Sequence, residues 1–457
     1  MNPFLVRRIL YPLYRRIKRD RVLAYLREMH RVERLEPAEI RQFQWRKLKR
    51  LLEHAAANVP YYRRIFKDLG AEPGDFKSLE DFKSFPILTK RDIKTNKQDL
   101  IAENYPRKHL QADSTGGSTG ENLYFYVDQS SSEARRANNV RMNEWIGIRI
   151  GDRVAMLWGT RFDVERSKRI KGAIRNWISN TLLLSAYRMD PSTVDGYVSR
   201  LVRFKPDLMI GYPSALSHFA QMILERGDAK LRPRAVLVSG ETLYDWQREV
   251  IEKAFGAKVY NHYGCREFGA VARECTLRDG LHIAAERVLL EVNRVAESSS
   301  GESVTELLVT DLDNFGMPFI RYAIEDVGTI TWERCRCGLT LPRLESAIGR
   351  TFDVVRAPNG NFLGGTFWTI LLRKVEGIDR FQVIQDALDS LTIAVVPAGE
   401  FTDEARRYVV EKIHEACGPE MKVRFEIKPN LELTPSAKHR FVVSRIGIKR
   451  SDAESSS

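Results

Sequence analysis

No stretch of this sequence approaches the roughly 18 consecutive apolar residues that a membrane-spanning helix needs. Its first residues also lack the uninterrupted apolar segment and small-residue cleavage site of a secretory leader. A cytoplasmic protein is therefore expected. Cysteine is scarce, at five in 457 residues, which excludes a disulfide framework. Acidic side chains are outnumbered, 60 Asp and Glu against 73 Lys and Arg, so the formal net charge is +13. The pI of about 9.4 favours anionic partners: a nucleotide, a nucleic acid or an acidic membrane surface. No RNA- or DNA-binding motif emerges, and nucleic acid is not an expected partner. What is present is globular in kind, 43% hydrophobic and 29% charged. The length calls for two or three domains.

Residues 1–50 are basic and helical in pattern, with Leu5, Ile9, Leu10, Leu13, Tyr14, Ile17, Leu23 and Leu26 recurring at helix-like intervals. Such a segment can lie on anionic lipid, with contact through about residues 1–30, giving a peripheral location at the inner membrane face. The favoured alternative is a helix packed on the main body with a solvated basic face. A second helix runs from Pro37 to Ala57, and Thr89 is positioned as an N-cap. From Ser130 to Tyr260 helices alternate with short apolar strands, among them Asp152–Trp158, Leu208–Tyr212, Ala235–Val238 and Lys258–Tyr260. That alternation implies α/β layering, with ligands bound past the strand C-termini. After about Gly280 the texture becomes β, with strands at Val288–Val292 and Glu306–Thr310 joined by a Ser/Gly-rich loop, Ala296–Ser303, expected to be mobile. Residues 351–446 read as a separate α+β unit, and Ser451–Ser457 as a disordered tail.

The stretch Asp113-Ser114-Thr115-Gly116-Gly117-Ser118-Thr119-Gly120 combines glycines with hydroxyls ahead of an apolar, β-prone run. Backbone N–H groups in such a loop can cradle phosphate, although the loop is not a Walker A motif and on its own could equally be a polar turn. Tyr260-Asn261-His262-Tyr263-Gly264-Cys265-Arg266-Glu267 follows a strand and offers stacking aromatics, a turn glycine and a carboxylate. That carboxylate suits Mg²⁺, which prefers oxygen ligands. Asp311-Leu312-Asp313-Asn314 and Glu325-Asp326 place acids near strand ends, where they can grip ribose hydroxyls. Lys438, in Thr434-Pro435-Ser436-Ala437-Lys438, taken alone reads as a surface lysine.

The order of these motifs is more informative than any one of them. A Ser/Thr/Gly loop, then Ser-Gly-Glu, Tyr-Gly-x-x-Glu, Arg-Tyr-x-x-x-Asp, Gly-Arg and a terminal Pro-Ser-x-Lys turn together resemble the adenylate-forming superfamily of acyl-CoA synthetases. Met317-Pro318-Phe319-Ile320-Arg321-Tyr322, Gly280-Leu281-His282-Ile283 and Cys335-x-Cys337-Gly338 are similar to its phenylacetate–CoA ligase/CapK branch, and the resemblance runs from about Ala55 to Ile446. It implies that Ser114, Thr115, Gly116, Gly117, Ser118, Thr119 and Gly120 wrap the β- and γ-phosphates of ATP. It further implies that Ser239, Gly240 and Glu241 border the adenine and that Tyr263, beside Gly264, stacks on it. Glu267 would ligate Mg²⁺, Asp326 would bind the ribose, and Arg350 would lie near ribose and phosphates. Lys438 would reach the substrate carboxylate and the α-phosphate, and Arg266 would add charge for phosphate. Tyr212, Pro213, Tyr260 and His262 fall where an acid pocket is expected. The chain departs from the family pattern at Glu121-Asn122 after the loop, at Arg266 for Thr or Ser, at Phe352 at the hinge, and at Ala437 before the lysine.

Cys275, His282, Cys335 and Cys337 form a further set, three thiols and an imidazole of the types that hold tetrahedral Zn²⁺. A structural zinc site is expected there. The expected fold is α/β: a basic helical segment at 1–50, a large multi-layer domain with a β-rich subdomain at 51–350, a small mobile α+β domain at 351–446, and a tail at 447–457. The expected function is Mg²⁺- and ATP-dependent activation of a carboxylic acid to acyl-AMP, then transfer to a thiol, with coenzyme A as acceptor. One alternative is a CapK-like ligase or adenylyltransferase acting on an amine, hydroxyl or sugar. The other is a non-enzymatic basic scaffold on a membrane surface.

Overall fold

A computed structural model of the chain describes residues 2–115, 123–158, 176–186, 191–227, 231–297, 303–350, 355–359, 361–363, 367–368, 371–372, 375–431 and 441–446. The protein is mixed α/β, a large body built on one long sheet followed by a smaller α+β unit. Apart from Ser114 and Thr115 at its base, the phosphate-loop assignment lies outside the described residues, as do Lys438 and the tail.

The parallel half of the long sheet contains β3 (Val154–Leu157), β4 (Thr181–Leu184), β5 (Leu208–Gly211), β6 (Ala235–Ser239) and β7 (Lys258–Cys265). Helices Pro191–Phe204, Pro213–Glu225 and Asp245–Phe255 alternate with these strands. Their apolar stripes bury Val194, Leu201, Leu216, Phe219 and Ile251 against Ala155, Met209, Val236 and Val259 on one sheet face. The other face buries Leu208, Leu237 and Tyr260 against Ile146 and Ile148. Central β6 is buried along its whole length, which is why its run Ala-Val-Leu-Val carries no polar alternation.

The antiparallel half adds β8 (Gly269–Glu274), β9 (Leu281–Ile283), β10 (Val288–Glu297), β11 (Ser303–Asp311), β12 (Tyr322–Thr331) and β13 (Arg343–Arg350). The order across the sheet is β10-β11-β12-β13-β9-β8-β7-β6-β5-β3-β4, so β7 joins the two halves. The strand expected to end at Tyr260 runs on to Cys265, because β8 folds back and pairs with it antiparallel. The Ser/Gly-rich loop is shorter than expected: Ala296 and Glu297 still pair with Val304 and Ser303, and residues 298–302 lie outside the described set.

Aromatic residues fill the core under this half. Phe66, Phe76, Phe82 and Phe85 pack together, and Phe268, Phe319 and Tyr322 join the same cluster. The buried Tyr62 hydroxyl donates to the Pro318 carbonyl at 3.0 Å and accepts from the Ile320 N–H at 3.1 Å, fixing the Met-Pro-Phe-Ile segment. Thr89 caps its helix as expected, with Thr89 and Asp92 forming a capping box. Helix Val22–Val32 packs on helix Gln129–Glu144 through Val22, Leu26 and Met29 against Ala134 and Ala137. The C-terminal unit has its own core, with Trp368, Phe381, Ile393, Val409 and Ile413 between helix Asp403–Cys417 and a small sheet. Among the described residues no helix is long and apolar enough to cross a membrane.

Candidate active site

Two short strands, β1 (Gln111–Ser114) and β2 (Tyr124–Val127), pair antiparallel and bracket the glycine-rich stretch. Thr115 closes its base: its N–H donates to the Leu123 carbonyl, and its Oγ1 accepts from the Leu123 N–H, both at 3.0 Å. Asp113, at the same base, accepts from Ser114 N–H at 2.8 Å and pairs with Arg266 at 3.2 Å. The phosphate-loop motif and the Tyr-Gly-Cys-Arg-Glu motif, far apart in sequence, thus meet in space.

The turn after β7 is held by geometry and by charge. A Cβ on Gly264 would lie 2.3 Å from the Gly269 carbonyl oxygen, so no side chain fits at that crossing. Arg135 donates to the carbonyls of Arg266 and Glu267 and pairs with Asp311 at 3.1 Å. This clamp fixes the backbone on which Glu267 stands. The Glu267 carboxylate is largely buried beside the Cys265 thiol. Burial, and then the Glu267 charge, push that thiol well above its ordinary range, so it stays protonated. Nothing in the sequence singled out Arg135, which sits in a polar helix without a motif; only the fold reveals it.

Tyr263 donates its hydroxyl proton to Asp326 Oδ2 at 2.6 Å. Asp326 lies opposite Arg350 in the β12–β13 register. Three residues assigned to the nucleotide therefore come together, although nothing is described for the Arg350 side chain. The other acidic motif behaves differently. Asp311 is buried with Arg135, Arg287 and Ser131, and Asp313 is bound to Lys47 and Arg287. Asn314 spans Asp128, Tyr126 and Met317. Those acids are consumed by the fold, whereas Asp326 is half-buried and faces the Tyr263 hydroxyl.

Ser239 ends β6 opposite His262 on β7. Gly240 takes a φ of 84° in the turn that follows. Glu241 turns back to accept from the Ser214 N–H and hydroxyl, each at 2.9 Å, at the start of helix Pro213–Glu225. A carboxylate there complements the helix N-terminus. Pro213 is buried in the first turn of that helix, and Tyr212, just before it, stacks on Trp158 with centroids 4.2 Å apart. Tyr260 packs in the opposite-face cluster, so these two tyrosines do not touch one common surface. Arg273 Nε donates to His262 Nδ1 at 3.1 Å, which leaves the imidazole proton on Nε2. Burial, and then the Arg273 charge, hold His262 well below the usual imidazole range. Burial also lowers Arg273 to about 9. Arg273 and Trp158 are further site neighbours without a sequence signal.

Cys275, His282, Cys335 and Cys337 converge, their ligand atoms all within 4.8 Å of one another. Cys275 Sγ and Cys335 Sγ are 3.9 Å apart, and Cys337 Sγ is 3.3 Å from His282 Nε2. His282 Nδ1 donates to the Leu341 carbonyl at 3.3 Å, which turns Nε2 toward the sulfurs. Burial lowers His282 to about 4, keeping the ring neutral as a ligand must be. This donor set fits tetrahedral Zn²⁺.

The chain is similar to several known proteins. The family described as CapK C-terminal domain matches residues 356–445. Protein CapK of Staphylococcus aureus is 23% identical over 436 residues, covering 92% of each chain. Phenylacetate-coenzyme A ligase of Thermus thermophilus is 25% identical over 430 residues, 88% of this chain and 93% of the relative. The fold is also that of 2-hydroxyisobutyryl-CoA ligase in the postadenylation state, with TM-score 0.71, 20% identity and 91% of both chains covered. Over about nine-tenths of its length the chain is thus similar in sequence to a phenylacetate–CoA ligase and to CapK, and it shares the fold of an acyl-CoA ligase.

Proposed function

We propose that the protein activates a carboxylic acid with ATP and passes the acyl group to a thiol, that of coenzyme A. A carboxylate oxygen attacks the α-phosphorus, the bond to the bridging oxygen breaks, and pyrophosphate leaves. The thiol sulfur then attacks the acyl carbon, its proton passes to solvent, and AMP departs. The observation that carries this reading is the Tyr263–Asp326 pair at 2.6 Å beside the Arg350 register position. It is joined to the phosphate-loop base through Arg266 and Asp113.

On this reading Asp326 grips the ribose, Tyr263 covers the adenine, and Ser239 and Gly240 border it. Ser114 through Gly120 hold the departing phosphates, and Lys438 offsets the charge of two approaching anions. Glu267 and phosphate oxygens would hold Mg²⁺, which when bound supplies positive charge to the leaving pyrophosphate. His262 presents its Nε2 proton as a hydrogen-bond donor, and Tyr260, two residues earlier on the same face of β7, helps shape the acid pocket, whereas Tyr212, with Pro213 after it, packs on the other sheet face. Cys275, His282, Cys335 and Cys337 would hold a structural zinc that ties the β9 segment to the Cys-x-Cys loop. Residues 51–350 bind ATP and acid, and 351–446 form the mobile unit that brings Lys438. The separate core around Trp368 and the CapK match over 356–445 support that division. Consumption of ATP and coenzyme A favours a cytoplasmic setting.

A second reading differs only in the acceptor. Indoleacetate–lysine synthetase of Pseudomonas savastanoi is 23% identical over 277 residues, 58% of this chain, and its name pairs indoleacetate with lysine instead of coenzyme A. An amine, hydroxyl or sugar would then take the acyl or adenylyl group. Pyrophosphate release screened over a carboxylic-acid library, with and without coenzyme A and with products identified by mass, separates the two readings. Lys438→Ala is expected to abolish acid-dependent release while the protein melts at an unchanged temperature. Unaltered release in that variant would refute the assignment.

A further inference from the structure

The first eighteen residues are the least expected part of the surface. Helical turns Pro3–Leu5, Val6–Leu10 and Tyr11–Lys18 follow without a break, and the middle one is a π-turn. The inner face is firmly seated. Val6 is buried, and Arg7 donates to the Ile150 carbonyl at 2.9 Å and pairs with Asp152 at 3.0 Å. Pro3 lies so close to Gly151 that a Cβ there would meet its carbonyl oxygen at 2.5 Å. Arg15 is turned inward onto Asp20 at 2.8 Å and over the Tyr11 ring.

The outer face is neither simply polar nor simply basic. Phe4, Leu5, Ile9, Leu13 and Ile17 are 66%, 40%, 53%, 50% and 71% exposed. Leu5, Ile9, Leu13 and Ile17 recur every fourth residue. At 3.6 residues per turn such a repeat drifts forward around the helix, and a π-turn, which holds more residues per turn, offsets the drift. The stripe therefore stays on one side. Arg8, Arg16, Lys18 and Arg19 are exposed along it. No carboxylate occurs before Asp20.

We infer that this face is a membrane-surface anchor, laid on an anionic lipid bilayer with Phe4, Leu5, Ile9, Leu13 and Ile17 among the acyl chains and Arg8, Arg16, Lys18 and Arg19 at the headgroups. The charge distribution selects this occupant. Two copies meeting through this face would oppose like charges, whereas an anionic headgroup layer neutralises them. Partly exposed Tyr11 and Tyr14 add amphipathic rings of the kind that settle at an interface. The sequence alone favoured a packed helix with a solvated basic face; the inner packing holds, but the solvated face is largely apolar. The inference does not depend on the adenylation chemistry. It adds that the enzyme works beside the bilayer, within reach of an acid or acceptor that is itself amphiphilic.

The test is co-sedimentation of the full chain with vesicles of phosphatidylcholine alone or with about one-quarter phosphatidylglycerol. Binding is expected only to the anionic vesicles, and it should fall as salt rises. Ile9→Asp/Ile17→Asp and, separately, Arg16→Glu/Lys18→Glu should each weaken partition by about tenfold or more. All four positions are exposed, so circular dichroism should be unaltered, and the charge pair provides a second variant. Equal binding to neutral vesicles, no binding to anionic ones, or unchanged binding by both double variants would overturn the inference. A dimer in light scattering that Ile9→Asp/Ile17→Asp dissolves, without vesicle binding by the parent, would overturn it in favour of self-association.

Discussion

The assignment of Asp326 to the ribose can be tested quantitatively. Asp326→Ala removes a carboxylate that accepts from Tyr263 at 2.6 Å and is proposed to accept from the two ribose hydroxyls. A hydrogen bond to a charged group contributes about 1.5–3 kcal/mol. Because Asp326 is only half-buried, the lower end applies, and two such bonds amount to about 3 kcal/mol. At 1.4 kcal/mol per tenfold, KM for ATP should rise by about two orders of magnitude. Asp326→Asn keeps one acceptor of the same shape and should cost about tenfold. Tyr263→Phe keeps the stacking ring, loses the hydroxyl and should cost less than either. The assay is pyrophosphate release at saturating acid with ATP varied, alongside a melting curve for each variant. If Asp326→Ala leaves KM for ATP unaltered and raises KM for the acid instead, the carboxylate does not hold the ribose and the geometry has been misassigned.

Asp311→Ala should behave in the opposite way. Arg287 is fully buried and would keep only Asp313 as counter-charge, while Arg135 would keep only backbone carbonyls, so stability should fall by about 3 kcal/mol, read as a fall in melting temperature, with any surviving protein keeping its KM for ATP. Freshly purified protein should contain one equivalent of zinc by elemental analysis, and Cys335→Ser/Cys337→Ser should lose both the metal and thermal stability; metal-free parent protein with an unaltered melt would dismiss the site. His30 meets Glu144 at 2.7 Å, and that hydrogen bond raises its pKa. A raised folded-state pKa gives stability that is fully present below the unfolded value and is lost as pH rises through the folded one. The melting-temperature gap between parent and His30→Gln should therefore be largest below the ordinary imidazole value of about 6.5 and close as pH rises above it, and a gap that widens with pH would contradict the pairing.

Much of the architecture was legible because each element carries its own periodic signal. Pro37–Asn58, Gln129–Glu144, Pro191–Phe204 and Asp403–Cys417 follow helical spacing, with Thr89 as a cap. The end of β7 was not legible: pairing to Cys265 depends on β8 folding back, a non-local event that the polar run Asn261–Cys265 does not encode. The site divides in the same way. Tyr263, Asp326, Arg266 and the cysteine–histidine set are of chemically distinctive types, so pattern found them. Arg135, Arg273 and Trp158 act through contacts with residues far away in the chain, and nothing near them in sequence differs from an ordinary helix or strand. Glu241 was singled out for adenine, yet its carboxylate is spent on Ser214. A motif identifies a position, and only the fold tells what its side chain touches.

The strand β7 has a further consequence for how such an enzyme can change over time. His262 and Tyr263 are consecutive, so the pleat points them to opposite faces of the same strand. On the proposed roles, one face meets the acid and the other meets the adenosine. Mutations that reshape the acid side can then accumulate through Tyr260, His262 and Arg273 without disturbing the Tyr263–Asp326 pair. A lineage can thus acquire a new acid while its ATP machinery stands still, and a protein engineer could vary the same positions one face at a time.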